Sequence, residues 1–235
     1  MKIVVLSLTP YKEKDAIVDA ISEEGDITFL ARGILDPKSK NAALNNILTI
    51  ADIELNEGNF KYPVLKASSA IENPMKVNNT YDYLTSLMLV GEATKSLLQD
   101  EEKVIMFPYL TSAIEALKKK DEPLLIVLMY LAKLFQNSGY EFETNRCVFC
   151  GTKANISTFS FRDGGFVCQD CLEMDTEMGL NKNQMLLLRF AFNAKGFEED
   201  YPHFTKDDAM VILQKFFEFI SDSYGIVLKS SKLIK

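Results

Sequence analysis

The stretch Arg146-Cys147-Val148-Phe149-Cys150-Gly151 and, further along, Cys168-Gln169-Asp170-Cys171 contain every cysteine of the chain. Seventeen residues separate the two Cys-x-x-Cys pairs. This is the spacing with which two zinc knuckles place four thiolates around one ion. The turn after the second ligand favours a residue with unrestricted φ, and Gly151 is there. The sequence therefore predicts one structural Zn²⁺ bound by Cys147, Cys150, Cys168 and Cys171, with a redox dithiol or unligated thiols as the alternatives.

The segment between the two cysteine pairs has the pattern of a hairpin. Thr158-Phe159-Ser160-Phe161 is followed by Asp163-Gly164-Gly165-Phe166-Val167, which would deliver the second pair to the metal. Four protein ligands complete a tetrahedral coordination sphere and leave no open position at which water could be activated. We therefore expect this site to brace the fold and not to catalyse a reaction.

Upstream of the cysteines, the first third of the chain is rich in β-branched residues. Five strands are predicted, at residues 2–8, 16–21, 27–34, 47–55 and 62–70. Glycine-containing turns, Glu24-Gly25-Asp26 and Glu57-Gly58-Asn59, interrupt this pattern. Five short strands with a longer connection after the third favour a small barrel of the OB type, although the strand count alone also fits a sandwich fragment or an SH3-like barrel.

After Asn73-Pro74 the hydrophobic period changes from two to about 3.6 residues, which predicts helices. The first helix begins near Tyr81, and four more are predicted at residues 107–117, 123–137, 182–194 and 206–223. The third of the five is apolar nearly all round, so we expect it to be the central buried helix. The last is capped by Thr205 together with Asp208. The prediction is an α+β protein with a five-stranded OB-type barrel, an all-helical domain and an inserted four-cysteine zinc module. Its domain limits are 1–76 for the OB fold, 77–235 for the helical domain and 145–175 for the insertion.

The composition points to a globular protein. The 235 residues are 47% hydrophobic, which is enough to form a core. No apolar run reaches the roughly 18 residues of a membrane span. Residues 1–8 contain one lysine and a short apolar run, and Thr9-Pro10-Tyr11 follows without the small-residue cleavage site of a signal peptide. With all cysteines in a metal-binding pattern, we expect a reduced, cytoplasmic setting and no membrane association.

Charge and reactive residues limit the function. A net charge of −7 argues against extensive coating of nucleic acid. A basic segment with Arg32, Lys38 and Lys40 follows the third strand, and OB folds bind single-stranded nucleic acid with such loops. Lys12, Lys14 and Lys61 could also neutralise phosphates there. The alternative is that the segment is a solvated loop without a ligand. The C-terminal lysines of residues 229–235 indicate a second phosphate contact or a frayed terminus.

Catalysis has little support in the sequence. The single histidine, His203, lies in a Tyr-Pro-His-Phe segment and is interpreted as a surface histidine and not as a general base. Phosphate-binding loops and a nucleophile elbow are absent from the sequence, and we expect no enzymatic activity. Lys133 interrupts the apolar third helix, so its ammonium either reaches the surface or binds an anionic partner.

The order of these features resembles the bacterial RecO family of recombination mediators over nearly the whole chain. The matching residues are Tyr11-Lys12-Glu13-Lys14-Asp15-Ala16-Ile17-Val18, Ala31-Arg32-Gly33, Pro37-Lys38-Ser39, Glu54-Leu55-Asn56-Glu57-Gly58, Ser138-Gly139-Tyr140, the two cysteine segments with Gly164-Gly165-Phe166-Val167, and Leu228-Lys229-Ser230. Members of this family have an N-terminal OB fold and a helical domain that often carries a four-cysteine zinc module.

The resemblance implies a role in recombinational DNA repair. It predicts binding of single- and double-stranded DNA, annealing, and work with RecR to load RecA on strands coated by single-strand-binding protein (SSB), whose acidic C-terminal tail binds the helical domain. Arg32, Lys38 and Lys40 become the DNA-contacting candidates, and Lys133 a candidate for the tail carboxylates. The acidic composition departs from a strong DNA binder, so the alternative is a zinc-containing interaction scaffold or regulator that does not bind DNA.

Overall fold

The computed structural model describes residues 1–56, 61–78, 80–119, 121–140, 142–173, 179–199 and 204–234. The chain forms two compact units, Met1–Lys120 and Asp121–Lys235. Within the described residues, none of the helices is both long and apolar enough to cross a membrane. The predicted turn at residues 57–59 and His203 lie outside the described residues.

The first unit contains a closed five-stranded barrel. Its strands are β1 (Lys2–Tyr11), β2 (Asp15–Ser22), β3 (Gly25–Ala31), β4 (Ile50–Asn56) and β5 (Val64–Glu72). They follow one another around the barrel in the order β1-β2-β3-β5-β4, and β4 pairs with β1 to close it. The β3–β5 pair is parallel and joins Leu30 to Val64, whereas the other pairs are antiparallel. This arrangement confirms the predicted five-stranded barrel.

The barrel interior is filled by the apolar residues that alternate along the strands. Ile3 and Val5 of β1, Val18 of β2, Phe29 of β3 and Ile53 of β4 belong to one buried cluster. Successive side chains of a strand point to opposite faces, so a strand with every second residue apolar contributes one face to such a core. The period-two pattern in the sequence is therefore the pattern of barrel burial.

Two helices complete the first unit, α1 (Tyr81–Leu97) and α2 (Asp100–Lys119). Polar contacts fasten both to the barrel: Lys95 Nζ lies 2.6 Å from Ser7 Oγ, and Lys103 Nζ lies 2.6 Å from Asp26 Oδ2. Compactness thus divides the chain after residue 120, whereas the predicted division near residue 76 follows the change from strands to helices.

Helix α2 begins seven residues before the predicted start at residue 107. Pro108 lies inside the helix on an exposed position, although proline usually marks a helix boundary. The side chain of Glu102 accepts a 2.7 Å hydrogen bond from the backbone N–H of Gln99, which satisfies a donor at the helix start. This local cap stabilises the turn before the proline.

The second unit is built around α3 (Pro123–Asn137), of whose fifteen residues eleven are buried. This confirms the predicted central helix. Around it lie a three-stranded sheet and two helices, with the bounds β6 (Glu143–Cys147), β7 (Ile156–Ser160), β8 (Gly165–Cys168), α4 (Lys182–Asn193) and α5 (Lys206–Tyr224). Phe135 of α3 stacks on Phe216 of α5 with a centroid distance of 5.4 Å.

The start of α5 has the capping box that the sequence predicts. Thr205 Oγ1 accepts from the backbone N–H of Asp208 at 3.1 Å, and Asp208 Oδ2 accepts from the backbone N–H of Thr205 at 3.1 Å. Each side chain satisfies a backbone donor that the helix cannot. The other end of the unit is also ordered: Lys229–Leu233 form a short 3-10 helix with Ser230 buried, so residues 229–234 are not a frayed tail.

Candidate metal centre and nucleic-acid interface

The four cysteines converge at the ends of two strands. Cys147 ends β6 and Cys168 ends β8, and both are buried. Cys150 is exposed and Cys171 is partly exposed in the turns that follow. The four sulfurs all lie within 4.8 Å of one another, and those of Cys150 and Cys168 are 3.6 Å apart.

This geometry fits a tetrahedral zinc ion. Four Zn–S bonds of about 2.3 Å require sulfurs roughly 3.8 Å apart, close to the distance between Cys150 and Cys168. A disulfide would require about 2.05 Å, so these two cysteines are not bonded to each other. Soft thiolates in a four-sulfur set are the donors that zinc and iron–sulfur centres use. The four cysteines are thus placed to hold one metal ion.

The backbone around Cys147 forms the knuckle. The N–H of Gly151 donates to the carbonyl of Cys147 at 2.9 Å, and the N–H of Cys147 donates to the carbonyl of Thr152 at 2.7 Å. Gly151 has φ of 73°, and a Cβ there would meet nothing within 4 Å. Glycine is therefore favoured at this position because the backbone is in the left-handed region, and not because neighbouring atoms would exclude a side chain.

The thiols of the cluster differ in their pKa values. Burial acts to raise the pKa of the Cys147 thiol, but backbone N–H groups of Cys150, Cys168 and Phe149 hydrogen-bond to it and lower this pKa to about 6. Hydrogen bonds with Cys150 and Cys168 raise the pKa of the Cys171 thiol to about 12. The Cys147 thiol is thus more acidic than the Cys171 thiol. Metal binding releases thiol protons, since the thiolate is the ligand.

The predicted hairpin is present and carries the second cysteine pair. Strands β7 and β8 pair antiparallel, and β8 also pairs in parallel with β6. The close approach of β6 explains Gly165, since a Cβ there would lie 2.6 Å from the backbone oxygen of Glu143. The module is fastened to α4 by Asn193, whose Nδ2 donates to Thr144 Oγ1 at 3.1 Å.

The candidate DNA residues Arg32, Lys38 and Lys40 are exposed on the connection between β3 and β4. That connection is tied to the turn between β1 and β2. The backbone N–H of Gly33 donates to Asp15 Oδ1 at 2.8 Å, and Lys14 Nζ lies 3.0 Å from Asp36 Oδ2. The structure therefore brings the two basic segments together, although part of the Lys14 charge is balanced by Asp36.

A third segment reaches the same end of the barrel. The backbone N–H of Leu30 donates to the carbonyl of Pro63 at 2.9 Å, which places the residues before β5 beside the end of β3. Lys61 Nζ lies 5.3 Å from the centre of the Tyr62 ring, and Lys12 Nζ lies 5.4 Å from that of Tyr11. Each of these turns thus presents a cation beside an aromatic ring.

Tyr11 and Tyr62 are not among the DNA contacts predicted from the sequence. Their signal is the adjacent placement of tyrosine and lysine, Tyr11-Lys12 after β1 and Lys61-Tyr62 before β5. Cations combined with stackable rings are what single-strand-binding barrels use, and OB folds bind through the β1–β2 and β4–β5 loops. This end of the barrel is the candidate nucleic-acid interface. We call it the basic barrel end, and its residues are Tyr11, Lys12, Arg32, Lys38, Lys40, Lys61 and Tyr62.

Lys133 occupies a different environment, half-buried on α3 in the second unit. Its Nζ donates to Gln136 Oε1 at 3.2 Å, and Gln136 in turn donates to the carbonyl of Phe192 at 2.7 Å. Burial lowers the pKa of the Lys133 ammonium, and the charge of Glu199 acts in the opposite direction. The residue is a cation at the edge of the helical core.

The chain belongs to a class of proteins in which a closed OB-type barrel precedes a helical unit. In this chain the barrel has a basic end, and the helical unit has a four-cysteine metal-binding geometry. The family model described as "Recombination protein O N terminal" matches residues 1–73. The model described as "Recombination protein O C terminal" matches residues 78–231. The chain therefore belongs to the RecO family.

Three relatives, each described as "DNA repair protein RecO", agree with this assignment. The protein of Halalkalibacterium halodurans is 26% identical over 174 residues, which cover 73% of this chain and 68% of the relative. That of Oceanobacillus iheyensis is 22% identical over 234 residues, covering 98% and 90%. That of Bacillus pumilus is 26% identical over 243 residues, covering 98% and 91%.

Proposed function

We propose that this RecO-family protein is a non-enzymatic DNA repair mediator. It binds single- and double-stranded DNA, anneals complementary strands, and works with RecR to load RecA on SSB-coated strands in the cytoplasm. The family assignment and the relatives' description as DNA repair proteins support this role. The observation that carries it is the convergence of three chain segments with cations and tyrosines at one end of the barrel.

The basic barrel end supplies both parts of single-strand binding. Arg32, Lys38 and Lys40 neutralise phosphates, while Tyr11 and Tyr62 provide rings on which bases stack. Each single-strand phosphate neutralised contributes about −0.7 to the slope of log affinity against log salt. Three such contacts give a slope of about −2, so affinity is modest and salt-dependent for a chain with net charge −7.

A structural Zn²⁺ held by the four cysteines is part of this proposal. The ion supplies no reaction step, because four thiolates fill its coordination sphere. Cys147 and Cys168 end β6 and β8, so a shared ion joins the two strands at a point where the sheet register is irregular. The pairing of β7 with β8 and the hydrogen bond from Asn193 to Thr144 then hold the hairpin and α4 in place.

The helical unit is the proposed docking site for the SSB C-terminal tail. Lys133 is the candidate for a tail carboxylate, because its ammonium is half-buried and an anion would compensate the lost solvation. An acidic tail ending in phenylalanine would then place its charge beside Lys133 and its ring among the apolar side chains of the unit.

Single-strand binding is tested by fluorescence anisotropy with oligothymidylate over a salt series. The variant Lys38→Glu with Lys40→Glu should weaken binding at low salt about tenfold or more and flatten the salt slope by about 1.4, the contribution of two phosphates. The matched control is Lys153→Glu with Lys182→Glu, two exposed lysines of the second unit. If both double variants bind as the unaltered chain does, the basic barrel end is not the interface.

A scaffold without DNA binding is the second candidate, and the net charge of −7 favours it. The same titration separates the two roles. A scaffold shows no salt-dependent binding to oligothymidylate at any ionic strength, whereas a mediator shows a negative slope and also binds an SSB-tail peptide.

A further inference from the structure

The second unit contains a pocket of about 580 Å³ between the hairpin turn and helix α5. One wall is the β7–β8 turn around Asp163, and the other is the C-terminal half of α5. Its volume lies in the range of about 300–1,000 Å³ typical of small-ligand sites. The pocket involves neither the cysteine cluster nor the basic barrel end.

Four aromatic residues line this pocket: Tyr140, Phe142, Phe161 and Phe219. Phe219 lies at the centre, with its ring centroid 5.4 Å from that of Phe142 and 5.7 Å from those of Tyr140 and Phe161. Tyr140 remains 37% exposed, so part of this surface is open to solvent. The faces of aromatic rings carry partial negative charge and attract cations.

The rim of the pocket is more acidic than basic. Three carboxylates line it, Asp163, Glu218 and Asp222, against the two cations Arg162 and Lys215. Both cations already face carboxylates: Arg162 Nε lies 3.5 Å from Asp163 Oδ1, and Lys215 Nζ lies 3.0 Å from Glu218 Oε2. The excess of one negative charge is therefore built into the rim.

The end of helix α5 adds to this negative potential. The helix ends at Tyr224, before Gly225 in the left-handed conformation, and Asp222 lies in its last turn. All residues of α5 are described, and none in the last turn is basic. A helix C-terminus carries about half a negative charge and is stabilised by cations, whereas a carboxylate there is unfavourable. Asp222 is thus in an unfavourable position for the isolated chain and a favourable one for binding a cation.

We propose that this pocket binds an arginine or lysine side chain on a peptide segment of a protein partner. The cation lies over the rings around Phe219, pairs with Asp222 and shares the Glu218 carboxylate with Lys215. The remaining volume accommodates the residues on either side of the cation. Nucleic acid is the less suitable occupant, because its phosphates would face the acidic rim and the helix C-terminus.

The test uses the full-length ¹⁵N-labelled protein and NMR amide shifts. The probe is a short glycine–serine peptide with one central arginine, and its matched control carries citrulline, which has the same shape without the charge. We expect millimolar arginine peptide to shift the amides of Gly164 and Ser223, and citrulline to bind at least about fivefold more weakly. Equal shifts with citrulline, or none with arginine, would overturn the proposal.

Charge-neutral variants locate the site. Asp222→Asn with Glu218→Gln should weaken the arginine peptide about threefold to tenfold, whereas Asp207→Asn, an exposed carboxylate at the other end of the same helix, should leave it unchanged. Preserved amide dispersion shows that the variants are folded. Oligothymidylate is titrated in parallel, and if it shifts the same amides more tightly than the peptide, the pocket is a nucleic-acid site and the proposal fails.

Discussion

The backbone N–H of Gly33 donates a 2.8 Å hydrogen bond to the carboxylate of Asp15, which joins the connection after β3 to the turn between β1 and β2. Asp15 is eighteen residues away from Gly33 in sequence. An acidic residue therefore links two of the chain segments that form the basic barrel end.

Replacement of Asp15 tests this positioning role. Asp15→Ala should lower the free energy of unfolding by about 1–2 kcal/mol, because a hydrogen bond to a charged acceptor is lost. Asp15→Asn removes the carboxylate charge, as Asp15→Ala does, but it keeps an oxygen that can accept the hydrogen bond. The Asn variant should therefore retain most of the stability. Urea unfolding followed by circular dichroism measures both. Equal losses in the two variants would show that the charge, and not the hydrogen bond, matters.

The two tyrosines of the basic barrel end should contribute stacking to single-strand binding. Tyr11→Leu and Tyr62→Leu are each expected to weaken oligothymidylate binding by about 1–3 kcal/mol, the range for loss of one stacked base. Tyr11→Phe and Tyr62→Phe retain the ring and should bind within about twofold of the unaltered chain. Anisotropy at one low salt concentration decides the matter, and Phe variants as weak as the Leu variants would exclude stacking.

The cysteine cluster should bind one zinc ion per chain. Cys147→Ser with Cys168→Ser removes the two buried ligands and should abolish the zinc measured by atomic absorption. At free zinc about a thousandfold above the dissociation constant, the ion contributes about 4 kcal/mol to stability, so a chelator should lower the melting temperature. A metal-free protein with an unchanged melting temperature would refute the structural role.

Gly165 should be intolerant of any side chain. Gly165→Ala puts a Cβ 2.6 Å from the backbone oxygen of Glu143, and because that atom belongs to a paired strand, we expect a loss of about 1–3 kcal/mol. Gly196→Ala is the matched control, since a Cβ there meets nothing within 4 Å and φ is not positive. Thermal unfolding of the two variants should separate them clearly; similar melting temperatures would contradict the close approach of β6 and β8.

The capping box of α5 should make the free energy of unfolding depend on pH in the acidic range. The hydrogen bond from the Thr205 N–H is the main cause that lowers the pKa of Asp208 below its usual 3.8, while burial acts against it. A lowered folded-state pKa means that the contribution is present above the unfolded pKa and is lost as pH falls through the folded one. Asp208→Asn should cost about 1 kcal/mol at pH 7 and progressively less below about pH 4. A difference between the two proteins that does not change with pH would refute this coupling.

Local chemistry made much of the fold predictable. The limits of α3 follow from Pro123 and the apolar run after it, and the start of α5 follows from Thr205 and Asp208, because capping acts over one turn. The early start of α2 was not predictable, since Pro108 is usually a boundary signal and here lies inside the helix.

The candidate sites were predictable to different degrees. Cysteine spacing alone indicates a metal-binding cluster, because the ligands lie in two short segments of fixed geometry. The basic barrel end instead depends on contacts between distant residues, such as Leu30 with Pro63, and no local pattern encodes which turns meet. The pocket beside Phe219 has the same origin, since its rings come from three separate segments.

The parallel contact between β3 and β5 gives the barrel a seam. Among the described residues it joins Leu30 to Val64, whereas β1 and β2 pair along most of their length. A seam with so few backbone bonds opens more readily than the rest of the sheet, and its amides should exchange with solvent first. Arg32 and Tyr62 lie on its two sides, so we expect a DNA strand that contacts both residues to hold β3 and β5 together. If DNA binds there, its binding should oppose opening of the β3–β5 contact and slow amide exchange in both strands.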